Sequence, residues 1–91
     1  MNVYLITYDL NKPGQDYGPL YEELKKASGW WHYLDSTWLI SSPDSISTWY
    51  TRIKAKIDQN DNFLIVELSS SKPYTGWLPQ KAWDWIKSHL R

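Results

Sequence analysis

Hydrophobic periodicity alternates along this chain between the two-residue repeat of a strand and the 3.6-residue repeat of a helix, and the order of that alternation leaves few folds open. Residues 2–10 are β-branched and aromatic with one charge, Asp9, and the loop signal Asn11-Lys12-Pro13-Gly14 follows. This predicts a first strand. Gly18-Pro19 puts proline at a helix start; Leu20, Tyr21, Leu24 and Ala27 then recur at helical spacing until Gly29. Residues 30–34 and 37–41 are two further extended runs parted by Asp35-Ser36, a hairpin or one long bent strand. Ser42-Pro43-Asp44 aligns an N-cap, an N1 proline and an acid ahead of Ile46, Trp49, Ile53 and Ile57, which predicts a second helix. Residues 63–68 form a short apolar strand, continuous enough to be covered on both faces. Residues 69–72 loosen the chain. Pro79 then opens a last helix with Trp83, Ile86 and Leu90 in one stripe and Ala82, Trp85 and His89 beside it.

Strand, helix, strand, strand, helix, strand is the split βαβ order of an α+β, ferredoxin-like βαββαβ sandwich, here with an additional C-terminal helix. The 91 residues suffice for one such domain, residues 1–69 forming the core and 77–91 the appended helix. Helices on one face leave the other open. Seven Trp and seven Tyr are more than two short helices easily cover. An open aromatic sheet face exceeds the patch a monomer usually tolerates, so a homodimer or a covering partner is expected. The alternative is that the appended helix, with Trp77, Trp83 and Trp85, folds over that face itself. Strand one does not choose between faces, because Val3, Leu5 and Thr7 on one parity and Tyr4, Ile6 and Tyr8 on the other are both apolar enough to be covered.

With no cysteine the chain has no disulfide framework, thiolate zinc site or Cys nucleophile, a usage compatible with the cytoplasm. The first ten residues lack a basic n-region and read as a strand, not a signal peptide, so a cytoplasmic location is expected. No apolar run reaches the roughly 18–20 residues of a membrane span. A formal net charge of zero gives no strong general attraction to phosphate backbones. P-loop, GxGxxG, HExxH, GxSxG and EF-hand patterns are absent. Residues 37–42 lack the basic-aromatic signature of an RNA-recognition motif. An acylphosphatase-like phosphate cradle lacks its loop arginine, since Arg52 falls in a helix and Arg91 at the terminus.

What remains is Asp9, a carboxylate ending an apolar strand. Alone it is most simply a turn former ahead of the Pro-Gly loop. Two copies brought together across a dimer axis make a different object, because a hard cation such as Mg²⁺ or Mn²⁺ takes oxygen ligands, and a metal so held activates water against a phosphodiester.

Tyr8-Asp9 closing strand one, the Gly29-Trp30-Trp31-His32-Tyr33-Leu34-Asp35-Ser36-Thr37-Trp38 double strand, the immediate second helix and Phe63-Leu64-Ile65-Val66-Glu67 together resemble the small CRISPR-associated adaptation subunit and its VapD-type toxin ribonuclease relatives. The likeness runs over residues 2–69. Tyr8 to Gly14 and Ser36 to Ile40 look most like a subgroup of bacterial proteins labelled SinR-like. The resemblance implies a homodimer whose two strand-one aspartates face each other, metal-dependent cleavage of RNA or DNA in some members, and partner proteins of defence or toxin systems. Asp9 matches the metal-binding and catalytic position, and Ser36 matches the serine that precedes an aromatic on the third strand. The basic residues that relatives carry near the aspartate are here reduced to Lys12, and some members are scaffolds in which cleavage is dispensable.

Around Asp9, Tyr8 could orient a substrate, Asn11 hydrogen-bond it and Lys12 neutralise a phosphate oxygen, against the simpler reading that all three build the loop. His32 lies on the strand face opposite Trp31 and Tyr33, and is a secondary substrate-binding candidate beside the reading of a packed or surface histidine. His89, near a helix C-terminus, is favourable there by dipole alone. Arg52, Lys54, Lys56, Lys25 and Lys26 fit solvated helix faces. Trp30, Trp31 and Trp38 suit core or dimer packing better than base stacking, since no basic groove accompanies them. Two functions therefore stand: a dimeric metal-dependent endonuclease or endoribonuclease centred on Asp9, and a non-catalytic homodimeric scaffold or interaction module with the same fold.

Overall fold

The computed structural model describes residues 1–11, 14 and 16–90. Seven elements follow in the expected order: β1 (Asn2–Asp9), α1 (Gly18–Leu24), β2 (Gly29–Leu34), β3 (Thr37–Ser42), α2 (Ile46–Lys54), β4 (Asn62–Leu68) and α3 (Gln80–His89). The four strands form one antiparallel sheet in the order β2-β3-β1-β4, so β1 is central and β2 and β4 are the edges.

Strand alternation divides β1 between two cores. Tyr4, Ile6 and Tyr8 join Trp38 and Ile40 of β3 under Leu20 and Leu24 of α1 and Trp49 and Ile53 of α2. Two buried indoles are anchored through their N–H groups: Trp38 Nε1 donates to Tyr8 Oη at 3.0 Å and Trp49 Nε1 to Ser42 Oγ at 3.0 Å. On the opposite face, Leu5 packs with Trp31 and Leu39 beneath Ala82 and Ile86 of α3. The last helix thus lies on the second sheet face, as the alternative in the sequence reading had it. Gly29 permits its close approach, because a Cβ there would stand 3.1 Å from His89 Nε2.

Coverage of that face is incomplete. α3 spans the Gly29–Ser41 and Trp31–Leu39 rows, whereas Leu64 (58% exposed) and Val66 (41% exposed) on β4 share this face and stay in water. The expectation that residues 63–68 are covered on both faces therefore fails within a single chain. α3 sits on the β2–β3 side, its Ala82 and Ile86 meeting Trp31 and Leu39, and of β4 only Leu68 packs against that cluster.

The start of α2 also differs from the sequence reading. Ser42 stays in β3, where its Oγ accepts from Asp44 N and Trp49 Nε1, so the N-cap passes to Ser45, whose Oγ accepts from Thr48 N at 3.2 Å. α2 ends at Lys54, and Ile57 packs on the core from the turn beyond it.

α1 and α2 are tied by charge. Arg52 donates to Glu23 Oε2 at 2.7 Å, reaches Asp44 Oδ2 at 3.2 Å and lies 3.8 Å from the Trp49 ring centroid. Burial alone would raise the Glu23 carboxyl, but hydrogen bonds and charge from Arg52 and Lys26 outweigh it and hold Glu23 below the usual glutamate value.

Candidate functional site

β1 ends where its side chains must part. Asp9 shares parity with Thr7 and Leu5 and so lies on the α3 face of the sheet, opposite Asn62 of β4 and beside Leu64. It is exposed, and among the described residues its carboxylate makes no hydrogen bond or ion pair. Thr7, Asp9, Asn62 and Leu64 line a shallow depression of about 290 Å³.

Tyr8 points the other way. It is 7% exposed, its hydroxyl is held by Trp38 Nε1, and burial pushes it up to about 12. The backbone of Tyr8 instead serves the hairpin, its N–H donating to Ser36 O at 3.1 Å; Thr7 Oγ1 donates to the same carbonyl at 3.2 Å. Ser36 is exposed at the β2–β3 turn, at the same end of the sheet as Asp9. Asn11 Nδ2 donates to Asp9 O at 3.3 Å and to Asn60 O at 3.1 Å, a pair of bonds that closes the β1 exit against the β4 entry. Lys12 lies outside the described residues. His32 stacks on Trp38, ring centroids 4.1 Å apart and planes 16° apart, with its Nε2 2.9 Å from Asp35 O. That puts it on the α1/α2 side, while Trp31 and Tyr33 meet edge to face on the other, as strand alternation requires. Asp9, Asn11 and Ser36 thus share one end of the sheet, and Tyr8 and His32 turn to its opposite face.

The carboxylate that builds this end is Asp61, which the sequence reading passed over. It is 8% exposed; Oδ1 accepts from Asn11 N at 2.6 Å and Tyr17 Oη at 2.8 Å, and Oδ2 from Asp58 N at 2.7 Å. One side chain thereby ties the segment after β1, the approach to α1 and the turn before β4. Its sequence signal was the polar run Asp58-Gln59-Asn60-Asp61, in which any of four side chains could have taken the role.

Among the described residues, Asp9, Asp16, Asp35, Asp58 and Asp61 lie in the turns and strand ends near here, and Asp61 is engaged in hydrogen bonds. Among the described residues no group of three or more His, Asp or Glu side chains is disposed to hold a metal ion, so within one chain Asp9 alone offers an incomplete ligand set for Mg²⁺ or Mn²⁺. No helix among them is long and apolar enough to cross a membrane. Comparison with protein-family models, curated proteins and solved structures finds no match to this chain.

Proposed function

We propose that this chain is the protomer of a homodimeric interaction module of ferredoxin-like architecture, pairing through β4 and the sheet strip that α3 leaves bare. The exposure of Leu64 and Val66 on an edge strand carries this reading. Edge strands of soluble proteins are ordinarily blunted by charged residues, lysine above all, by proline or by a bulge; β4, Asn-Phe-Leu-Ile-Val-Glu-Leu, has no lysine, proline or bulge, and its one charge, Glu67, lies on the α1/α2 face and not on the bare strip. A second copy satisfies such an edge by a two-fold antiparallel pairing, which sets the same apolar side chains of both protomers against each other. The strand order β2-β3-β1-β4 and the two helices on one face support the ferredoxin-like assignment.

A second reading, the metal-dependent endonuclease or endoribonuclease of the CRISPR-adaptation or VapD type, is favoured by one observation. Among the described residues the Asp9 carboxylate has no hydrogen-bond or ion-pair partner, and it lies on the same face as Leu64. Edge-to-edge antiparallel pairing of β4 sets the two Asp9 residues at opposite ends of the seam, so this reading needs the bare strips of two copies to pack face to face instead, where two such carboxylates at one axis would together hold Mg²⁺ or Mn²⁺. The ion would supply an activated water for phosphodiester hydrolysis. Among the described residues Ser36, Asn62 and Asn11, the last with its amide nitrogen already bonded to Asp9 O and Asn60 O, are exposed polar side chains at the same end.

The deciding experiment has two arms. Light scattering on wild type and Val66→Lys is expected to give a dimer and a monomer of unchanged circular dichroism; a monomeric wild type at high micromolar concentration overturns the pairing. Wild type and Asp9→Ala are then incubated with labelled single-stranded RNA and duplex DNA in EDTA, Mg²⁺ and Mn²⁺. Cleavage that needs both metal and Asp9 establishes the nuclease, and its absence leaves the interaction module.

A further inference from the structure

The same sheet face carries a second concavity, which reaches from the β2–β3 hairpin to Leu68 at the end of β4. Leu5, Leu39 and Trp31 form its floor, Leu34 and Thr37 its rim at the hairpin end, Trp83 and Ile86 of α3 one wall, and the segment 74–78 its roof. Its volume, about 390 Å³, lies within the range of small-molecule sites, roughly 300–1,000 Å³. No charged side chain lines it; its side-chain hydroxyls come from Thr37, Thr75 and Tyr74. An ionised ligand would enter without a counter-charge, at a cost no contact here offsets.

Trp31 adds an independent observation. It is 4% exposed, and among the described residues its Nε1 is the one buried side-chain nitrogen or oxygen without a hydrogen-bond partner. The other two deeply buried indoles, Trp38 and Trp49, each have an oxygen acceptor. A buried donor left unmatched is destabilising, and such an atom in a folded protein calls for a partner that the chain itself does not supply. The missing group is an acceptor.

We propose that this groove binds an uncharged, flat apolar molecule carrying a carbonyl or ether oxygen, with the oxygen accepting from Trp31 Nε1 and the hydrocarbon body lying between Leu5, Leu39 and Trp83. The segment 74–78 closes over it. Tyr74 stacks on Trp83 at 6.5 Å between centroids and Trp77 is 98% exposed; Trp31 Nε1 is closed to solvent in the unliganded chain, so binding in this pose requires the lining to part at the indole.

The test uses the neutral fluorophore 6-propionyl-2-(dimethylamino)naphthalene, displaced by 2-acetylnaphthalene or by 2-ethylnaphthalene, which differ in the carbonyl. Wild type should bind the fluorophore with a blue-shifted emission. 2-Acetylnaphthalene should displace it at a concentration several-fold lower than 2-ethylnaphthalene, the margin that one hydrogen bond supplies, about 2- to 10-fold. Trp31→Phe removes the donor and keeps an aromatic floor, and should bring the two displacement constants together. Leu34→Trp, a rim substitution at a half-exposed residue that should not disturb folding, narrows the mouth and should weaken all three compounds. Absence of fluorophore binding to folded wild type overturns the site. A carbonyl preference that survives in Trp31→Phe, or binding unaffected by Leu34→Trp, overturns the assigned pose.

Discussion

Asp9 ends β1 and Asp61 precedes β4 at the same end of the sheet, the first without a side-chain partner among the described residues and the second engaged by three donors, and replacing each by alanine should separate them sharply. Asp61→Ala strands two backbone N–H donors, of Asn11 and Asp58, together with the Tyr17 hydroxyl. A hydrogen bond to a charged acceptor contributes about 1.5–3 kcal/mol, and all three donors are partly buried, so water restores part of the loss. A net destabilisation of about 3 kcal/mol follows. In a domain of this size each kcal/mol moves the melting temperature by about 4–8 °C, so the midpoint should drop by roughly 12–24 °C. Tyr17→Phe removes one of the three bonds and should cost about 1 kcal/mol. Asp9→Ala removes an exposed carboxylate with no partner among the described residues and should stay within about 0.5 kcal/mol of wild type. Differential scanning calorimetry with urea titration at neutral pH measures all three. If Asp9→Ala proves as damaging as Asp61→Ala, or Asp61→Ala is silent, the assignment of the turn to Asp61 is wrong.

Other outcomes follow from the two cores. Tyr8 is raised to about 12 from an ordinary 10.0, so above pH 10 the unfolded chain ionises while the folded one does not. Its contribution is complete below pH 10 and declines up to about pH 12, by about 2–3 kcal/mol, and urea midpoints followed over that range should fall more steeply in wild type than in Tyr8→Phe. Glu23 works at the acid end: held below the usual value, it stabilises above the unfolded glutamate range and loses that contribution as pH falls through its folded value. Glu23→Gln should therefore flatten the acid limb of the stability profile, and an unchanged limb would show that Arg52 does not act through this carboxylate. Gly29→Ala drives a Cβ against the His89 ring and should cost about 1 kcal/mol or more unless the end of α3 shifts. If its melting temperature matches wild type, α3 does not pack as closely on β2 as described.

Which elements form, and in what order, was legible in the chain because that information is local. Pro19 and Pro79 marked the starts of α1 and α3, Asp35-Ser36 the β2–β3 turn, and the Trp49, Ile53 spacing the buried stripe of α2, although Ile46, in the same periodicity, stays exposed. The opposite facing of His32 and Trp31 was legible for the same reason, since alternation in a strand is a property of the backbone. Three matters were not local. Whether Ser42 or Ser45 caps α2 turned on Trp49 Nε1, seven residues away, claiming the Ser42 hydroxyl. The choice of Asp61 over Asp9 as the turn carboxylate depended on donors as distant as Asn11 and Tyr17. Above all, both parities of β1 are apolar, so the pattern leaves open what covers each. Only the packed chain puts α1 and α2 on Tyr4, Ile6 and Tyr8 and brings α3 to Leu5, Trp31 and Leu39 on the other face, leaving Leu64 and Val66 in water because α3 sits toward β2 and β3.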